Sequence, residues 1–303
     1  MSNEIFYWVL NMSIAAGITG AVILLIEKIK KLPRRMVLLL WAVPFLRMCL
    51  PAAPGSKYGL MALISMIQSN IAVVYYQRAD DFTTMNYVGA AKSYFPIIYK
   101  TNFFEQLFHY LFIVWLIGAA VILIFSSIFY ITAMRDLKEK IHLKNNIYIS
   151  EKIASPAVYG VFRPKIILPR CYKNKDLTFL LAHEYEHIRH ADNLWRMTAF
   201  VLTAIHWFNP FAWIFFRHFL IAIELACDER VLAKIGEERK KEYALLLIDC
   251  AENRNLLVSS FGGAKLGTRI KHIISYKKYS LFSFICLTDL TIITVCMLLT
   301  NAL

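Results

Sequence analysis

Several features expected of a secreted or soluble protein are missing from this chain. Its 303 residues include six cysteines, and no two of Cys49, Cys171, Cys227, Cys250, Cys286 and Cys296 form C-x-x-C. Three of them lie in apolar segments. Nothing in this spacing suggests a disulfide framework, and a reducing compartment fits residues 135–278. No Lys or Arg precedes the first apolar run, so the basic leader of a cleaved signal peptide is absent. Internal repeats and low-complexity tracts are absent too. Acidic residues are scarce, with 21 against 34 Lys and Arg for a net charge of +13. The segment from Arg135 to Lys278 holds 24 of the bases and 15 of the acids, a net +9 (24 − 15). Such a surface can face nucleic acid or acidic lipid. Its apolar surroundings favour lipid, and direct nucleic-acid binding is not expected.

Apolar residues are abundant. They make up 58% of the chain, against roughly 45–50% in an ordinary soluble domain, and they come in blocks. Phe6 to Ile26 is long enough to span a bilayer. The bases Lys28, Lys30, Lys31, Arg34 and Arg35 follow it and are read as cytoplasmic, with the N-terminus outside. Met36 to about Ala53 is a shorter second span interrupted by Pro44. Residues 54–104 form an outside loop, in which Tyr58 to Tyr76 is read as a helix lying in the interface. Leu107 to Met134 is the third span. Leu281 to Leu303 is the fourth; it is preceded by Lys277 and Lys278, and its end is expected outside with no residues left for an outer domain. The expected division is residues 1–134 as three spans, 135–278 as a cytoplasmic domain and 279–303 as the fourth span.

Within 135–278, Asn146 to Ser150 and Lys165 to Pro169 read as strands, with Gly160 and Arg163-Pro164 marking a turn. Asp176 is the expected N-cap of a helix running to Phe208. Asn209-Pro210 should end it, and Phe211 to about Ile235 should form the next helix, with Gly236 as its stop.

The stretch LAHEYEHIRHADN (181–193) contains H-E-x-x-H. Positions i and i+4 of a helix are about 40° apart around the axis and ~6 Å along it. His183 and His187 can therefore address one zinc ion, and Glu184 can serve the associated water as general base. His190 shares the face but lies ~10.5 Å along the axis from His183, too far for bonds of ~2.1 Å to one ion. The metzincin pattern would need Gly at position 190 and His at 193; His and Asn stand there. On a continuous helix Asp192 points to the opposite face. The third ligand is expected on the next helix, where Glu224 and Asp228 are i and i+4: Glu224 completes the metal set and Asp228 hydrogen-bonds the far nitrogen of a ligand histidine. Glu229, one step round, is expected in solvent.

HEYEH (183–187) with Arg189 and Asp192, HWFNP (206–210), ELACDERVL (224–232), SPAVYGVFRPKIILP (155–169) and RIKHI (269–273) together resemble the BlaR/MecR-type antirepressor membrane metallopeptidases. The resemblance covers roughly residues 5–303. It implies a mainly α-helical integral membrane protein of the bacterial plasma membrane, with four transmembrane helices and a small α+β gluzincin-type metallopeptidase domain. It also implies one zinc ion per chain on His183, His187 and Glu224, Glu184 as base, and Asp228 and Asn209 supporting the ligands. The implied activity is cleavage of a cytoplasmic protein such as a transcriptional repressor, or of the chain's own cytoplasmic loop, when an outside signal arrives. A separate sensor protein or a homo-oligomer would then relay the signal. Beta-lactam sensors of this family carry a penicillin-binding outer domain. The only S-x-x-K here, Ser275 to Lys278, lacks companion S-D-N and K-T-G motifs, so direct beta-lactam sensing is not expected.

Two further expectations concern substrate and signal. The strand residues Ile166, Ile167 and Leu168 could bind substrate by strand addition. Arg47 and Asp289, at matching depths of ~17 Å in spans two and four, are expected to pair, because an intramembrane charge needs a partner. The rival functional readings are a housekeeping membrane protease of the prenyl-protease or heat-shock type, which shares H-E-x-x-H and a distant Glu, and a non-catalytic signalling scaffold.

Overall fold

The computed structural model describes residues 2–29, 32–50, 53–62, 102–137, 140–153, 155–172, 177–252 and 266–300. Most of the expected outside loop, including the interface helix beyond residue 62, lies outside these, as does Asp176. The helices are α1 (Ser2–Ile26), α2 (Arg34–Cys49), α3 (Asn102–Asp136), α4 (Thr178–Arg189), α5 (Asp192–Ile205), α6 (Pro210–Ile235), α7 (Lys240–Glu252), α8 (Leu266–Ser275) and α9 (Leu281–Leu299). The strands are β1 (Ile141–Lys144), β2 (Ile147–Ser150), β3 (Ala157–Tyr159) and β4 (Lys165–Pro169).

Among the described residues, four helices are long and apolar enough to cross a membrane: Ile5–Ile26, Gln106–Arg135, Pro210–Ile235 and Leu281–Leu299. The set differs by one member from the sequence reading. α2 has 16 residues with Pro44 inside, a rise of ~24 Å, whereas α6 has 26 residues. On α3 and α9, Ile117, Phe125, Phe129, Leu281 and Phe282 are exposed, which is the expected finish for a helix facing lipid.

α6 is long and apolar because it runs through the bundle. Trp41, Val43 and Phe45 of α2 pack with Phe215, Phe219 and Ala222 of α6, and with Ala16 and Ile23 of α1. Gly20 permits the close approach of α1, since a Cβ there would stand 2.2 Å from the Phe215 ring. At one end of α6, Phe208 meets Phe6 at 5.8 Å between ring centroids, and His206 Nε2 is 3.2 Å from the Met48 carbonyl. At the other end, Glu229 Oε2 accepts the Arg34 backbone N–H at 2.5 Å and Oε1 faces Arg35 Nε at 3.3 Å. Twenty residues separate these ends, ~30 Å of helix and about the thickness of a hydrocarbon core. The chain from Asp192 to Ile235 therefore packs alongside the apolar helices, although it was expected in a segment apart from them. Glu229, expected in solvent, is buried because it satisfies an orphan amide at the start of α2.

The expected single helix from 176 to 208 is two helices. Ala191 adopts φ 52°, the left-handed region, and the chain turns between α4 and α5. Asn209 does end the pair. Its side chain accepts the Phe211 N–H at 2.9 Å ahead of Pro210 and donates to Ser13 Oγ at 2.8 Å.

The sheet order is β1-β2-β4-β3, with β2 and β4 parallel and the other pairs antiparallel. β4 thus has a neighbour on each edge, and Ile166, Ile167 and Leu168 are buried. Ile166 and Ile167 are paired on both backbone edges and Leu168 on its β2 edge, which leaves no open strand edge at Ile166 and Ile167 for substrate to add to. The Arg47–Asp289 pairing also fails. α2 and α9 are offset along their axes, so Arg47 Nε reaches the Leu298 carbonyl at 3.0 Å and a terminal nitrogen reaches the Thr300 carbonyl at 2.7 Å. Those are unsatisfied carbonyls at a helix end. Asp289 is exposed and lies nine residues before Leu298 on α9, ~13.5 Å of helix rise from the carbonyl that Arg47 contacts.

Candidate metal centre

α4 presents His183 and His187 one turn apart, both buried. Their Nε2 atoms are 3.2 Å apart. Two nitrogens bound to one tetrahedral zinc at ~2.05 Å would be separated by roughly 3.3 Å. α6 brings Glu224 beside them, with Oε2 3.9 Å from His183 Nε2 and Oε1 3.9 Å from His187 Nε2. Four carboxylates (Glu184, Asp192, Glu224, Asp228) converge here, with three guanidiniums in reach. Arg196 donates to Glu224 at 2.6 Å, Arg269 stands 3.3 Å from Glu224, and Arg230 is 3.9 Å from Asp192. The excess of negative charge and the paired imidazoles suit a divalent cation of the zinc type.

Each histidine is held by its other nitrogen. His187 Nδ1 lies 2.6 Å from Asp192 Oδ2, so it carries the proton and donates, leaving Nε2 free to bind metal. This contact follows from the left-handed Ala191, which swings Asp192 back over α4. On the continuous helix expected from sequence it would have pointed away. His183 Nδ1 donates to the Tyr243 hydroxyl at 2.8 Å, and that hydroxyl donates to Asp228 Oδ1 at 2.6 Å. Asp228 itself is 3.5 Å from His183 Nδ1, so its support passes mainly through Tyr243. Arg269 grips Asp228 with Nε at 2.8 Å and a terminal nitrogen at 2.7 Å. That terminal nitrogen also stands 3.3 Å from His183 Nε2.

Burial, together with the Arg269 charge and the neighbouring His187, pushes the His183 pKa well below that of free imidazole and keeps the ring neutral. Burial acts the same way on His187, but the Asp192 hydrogen bond outweighs it and the pKa rises. Burial raises the Glu184 carboxyl, partly opposed by His187, which moves it toward the range of a general base at neutral pH. Tyr159 of β3 is within electrostatic reach of Glu184, and burial and that carboxylate both raise its pKa.

Cys227 offers an alternative donor: it forms a group with His183 and His187 whose ligand atoms lie within 4.8 Å of one another. Its Sγ meets His183 at Nδ1, 3.4 Å away, on the ring edge already engaged by Tyr243. The Nε2 edges of both rings face Glu224, and the geometry favours the carboxylate. Asn209 is not part of the centre. It caps the far end of α6, ~22 Å of helix from Glu224. His190 lies 3.5 Å from Glu186, turned from the pair. Tyr243 and Arg196 had no local sequence signal. Arg269 carries a sequence signal only as part of RIKHI.

Replacing Asp192 with Ala is expected to weaken zinc retention by about 10–100-fold, the usual cost of losing a carboxylate behind a ligand histidine. Competition with a chelator measures it. Unchanged retention would mean that Asp192 does not orient His187.

The fold and site define an apolar helical scaffold of metallopeptidase type that carries an H-E-x-x-H helix. The model of the BlaR1 peptidase M56 family matches residues 7–273, and the chain belongs to that family. Among curated relatives, the regulatory protein BlaR1 of Bacillus licheniformis is 26% identical over 141 residues, 45% of this chain and 24% of that protein. The regulatory protein BlaR1 of Staphylococcus aureus is 30% identical over 161 residues, 48% of this chain and 28% of that protein. The methicillin resistance mecR1 protein of Staphylococcus aureus is 23% identical over 141 residues, covering 43% and 24%. The chain thus spans about a quarter of the length of the relatives it matches. The family, these relatives and the apolar helices support a bacterial membrane protein.

Proposed function

We propose that this chain is a zinc endopeptidase of membrane signalling, acting from the cytoplasmic face on a repressor-like protein, on its own loop, or on both. The observation that carries this reading is the convergence of His183 Nε2, His187 Nε2 and the Glu224 carboxylate beside a buried Glu184. His183, His187 and Glu224 would hold the zinc, which supplies Lewis-acid chemistry when bound. Glu184 takes the proton from the attacking water and returns it to the departing amide nitrogen. Asp192 and the Tyr243–Asp228–Arg269 chain hold the imidazoles in the tautomer that presents Nε2. Arg196 orients the Glu224 carboxylate.

The substrate strand is better sought on β3 than on β4. β3 is an edge strand, and Asn193 Nδ2 already reaches its Val158 and Gly160 carbonyls, at 2.9 and 3.1 Å. That edge therefore faces the start of α5, beside the centre. The bases after α1 and before α9 support a cytoplasmic centre with both chain ends outside.

A Glu184→Gln strain compared with wild type tests the assignment of substrate. A DNA-binding repressor that stays uncut only in the variant supports signalling. Accumulation of diverse misfolded membrane proteins would replace that reading with the housekeeping one, and an unchanged proteome would leave a scaffold.

A further inference from the structure

A cavity of about 330 Å³ lies between the first turn of α2, the cytoplasm-proximal part of α6 and the segment joining α8 to α9. Arg34, His272, Lys277 and Lys278 line it, with Asp228 and Glu229 as its two acids. Both acids are already matched. Asp228 takes the fork of Arg269, and Glu229 binds the Arg34 amide and faces Arg35. The Arg34 guanidinium differs. Its Nε is buried without a hydrogen-bond partner among the described residues, and nearby Glu27 is held by His218 at 2.8 Å. Burial and the charge of Arg34 lower the His272 pKa to about 4, so the ring stays neutral and can donate one N–H. Glu27 and Glu229 stand within electrostatic reach of Arg34, but the pocket's three cations outnumber its two acids, both already hydrogen-bonded, and an anion would balance them.

Its position narrows the choice of anion. Arg34 begins α2 shortly after α1 ends, and Lys278 stands three positions before the start of α9, so the cavity sits where apolar helices meet the aqueous phase. Leu281 and Phe282 beside it are each 78% exposed, an apolar wall that a soluble anion does not need. We propose that this cavity binds the phosphate of an anionic membrane phospholipid, with Arg34, Lys277 and Lys278 as its contacts and the acyl chains along α9. Asp228 forms part of the inner wall, so the bound headgroup would lie next to the carboxylate that supports His183.

The full chain in mild detergent, examined by native mass spectrometry with added phosphatidylglycerol or phosphatidylcholine, tests this. Phosphatidylglycerol should be retained about ten-fold better. Removing one contact charge should lower retention about five-fold, the fold-change for one basic residue at an anionic surface. Lys277→Gln with Lys278→Gln removes two and should lower retention about 25-fold in a folded chain, because both side chains are exposed. Lys144→Gln with Lys152→Gln, which removes the same charge elsewhere, should not. Equal retention of the two lipids, or equal loss in the two double variants, overturns the site. Displacement by millimolar inorganic phosphate without preference between the lipids would make it a soluble-phosphate site and overturn the lipid assignment.

Discussion

Glu184→Gln should slow peptide cleavage by about 10³-fold, within the 10²–10⁴ range for loss of a general base, while zinc content stays at about one per chain. A 10³-fold loss corresponds to ~4 kcal/mol of barrier. The substitution keeps the shape of a buried side chain and removes only its ability to take and return a proton. Glu184 also lies off the face that His183 and His187 share, so the ligand set is untouched. Turnover of a purified substrate, with metal analysis on the same sample, reads both quantities. Retained turnover would remove Glu184 from the reaction; lost zinc would make it a ligand.

Glu224→Ala should weaken zinc binding by roughly 10²–10³-fold, and Cys227→Ser should leave it near wild type. Structural zinc sites with four ligands bind by ~10–16 kcal/mol, so one ligand accounts for roughly 3–4 kcal/mol. The loss at Glu224 is compounded, because Arg196 and Arg269 would then face the imidazole pair without their shared carboxylate. Glu224→Gln, which keeps the side chain's shape, should still show most of the loss. The opposite pattern, with Cys227→Ser costing the metal and Glu224→Ala sparing it, would assign the thiolate as third ligand.

Periodicity was enough to place His183 and His187 on one helical face, and to assign Glu224 to the helix after Asn209-Pro210. Both inferences depend only on helix geometry, which is local. The same reasoning failed at Asp192, because it assumed a continuous helix and one left-handed residue, Ala191, redirects the chain. It failed at Ile166 to Leu168 because strand order decides which strand is an edge, and β4 lies between β2 and β3. At Arg47 it failed because equal depth along two helices says nothing about how they are offset. At Asn209 a motif supplied a residue whose distance from the site depends on which end of α6 it occupies.

The sequence by itself determined the apolar helices, the strands at 147–150 and 165–169, the H-E-x-x-H face and the partner helix. Hydrophobic length and side-chain period are properties of contiguous residues. Only the tertiary structure decided that α6 runs the length of the bundle, and that Asp192 and Tyr243 meet the Nδ1 atoms of His187 and His183. It also decided that Glu229 holds the start of α2. These contacts join residues as far apart as 195 positions, Arg34 to Glu229. They arise because buried polar groups must find partners wherever packing brings the chain together.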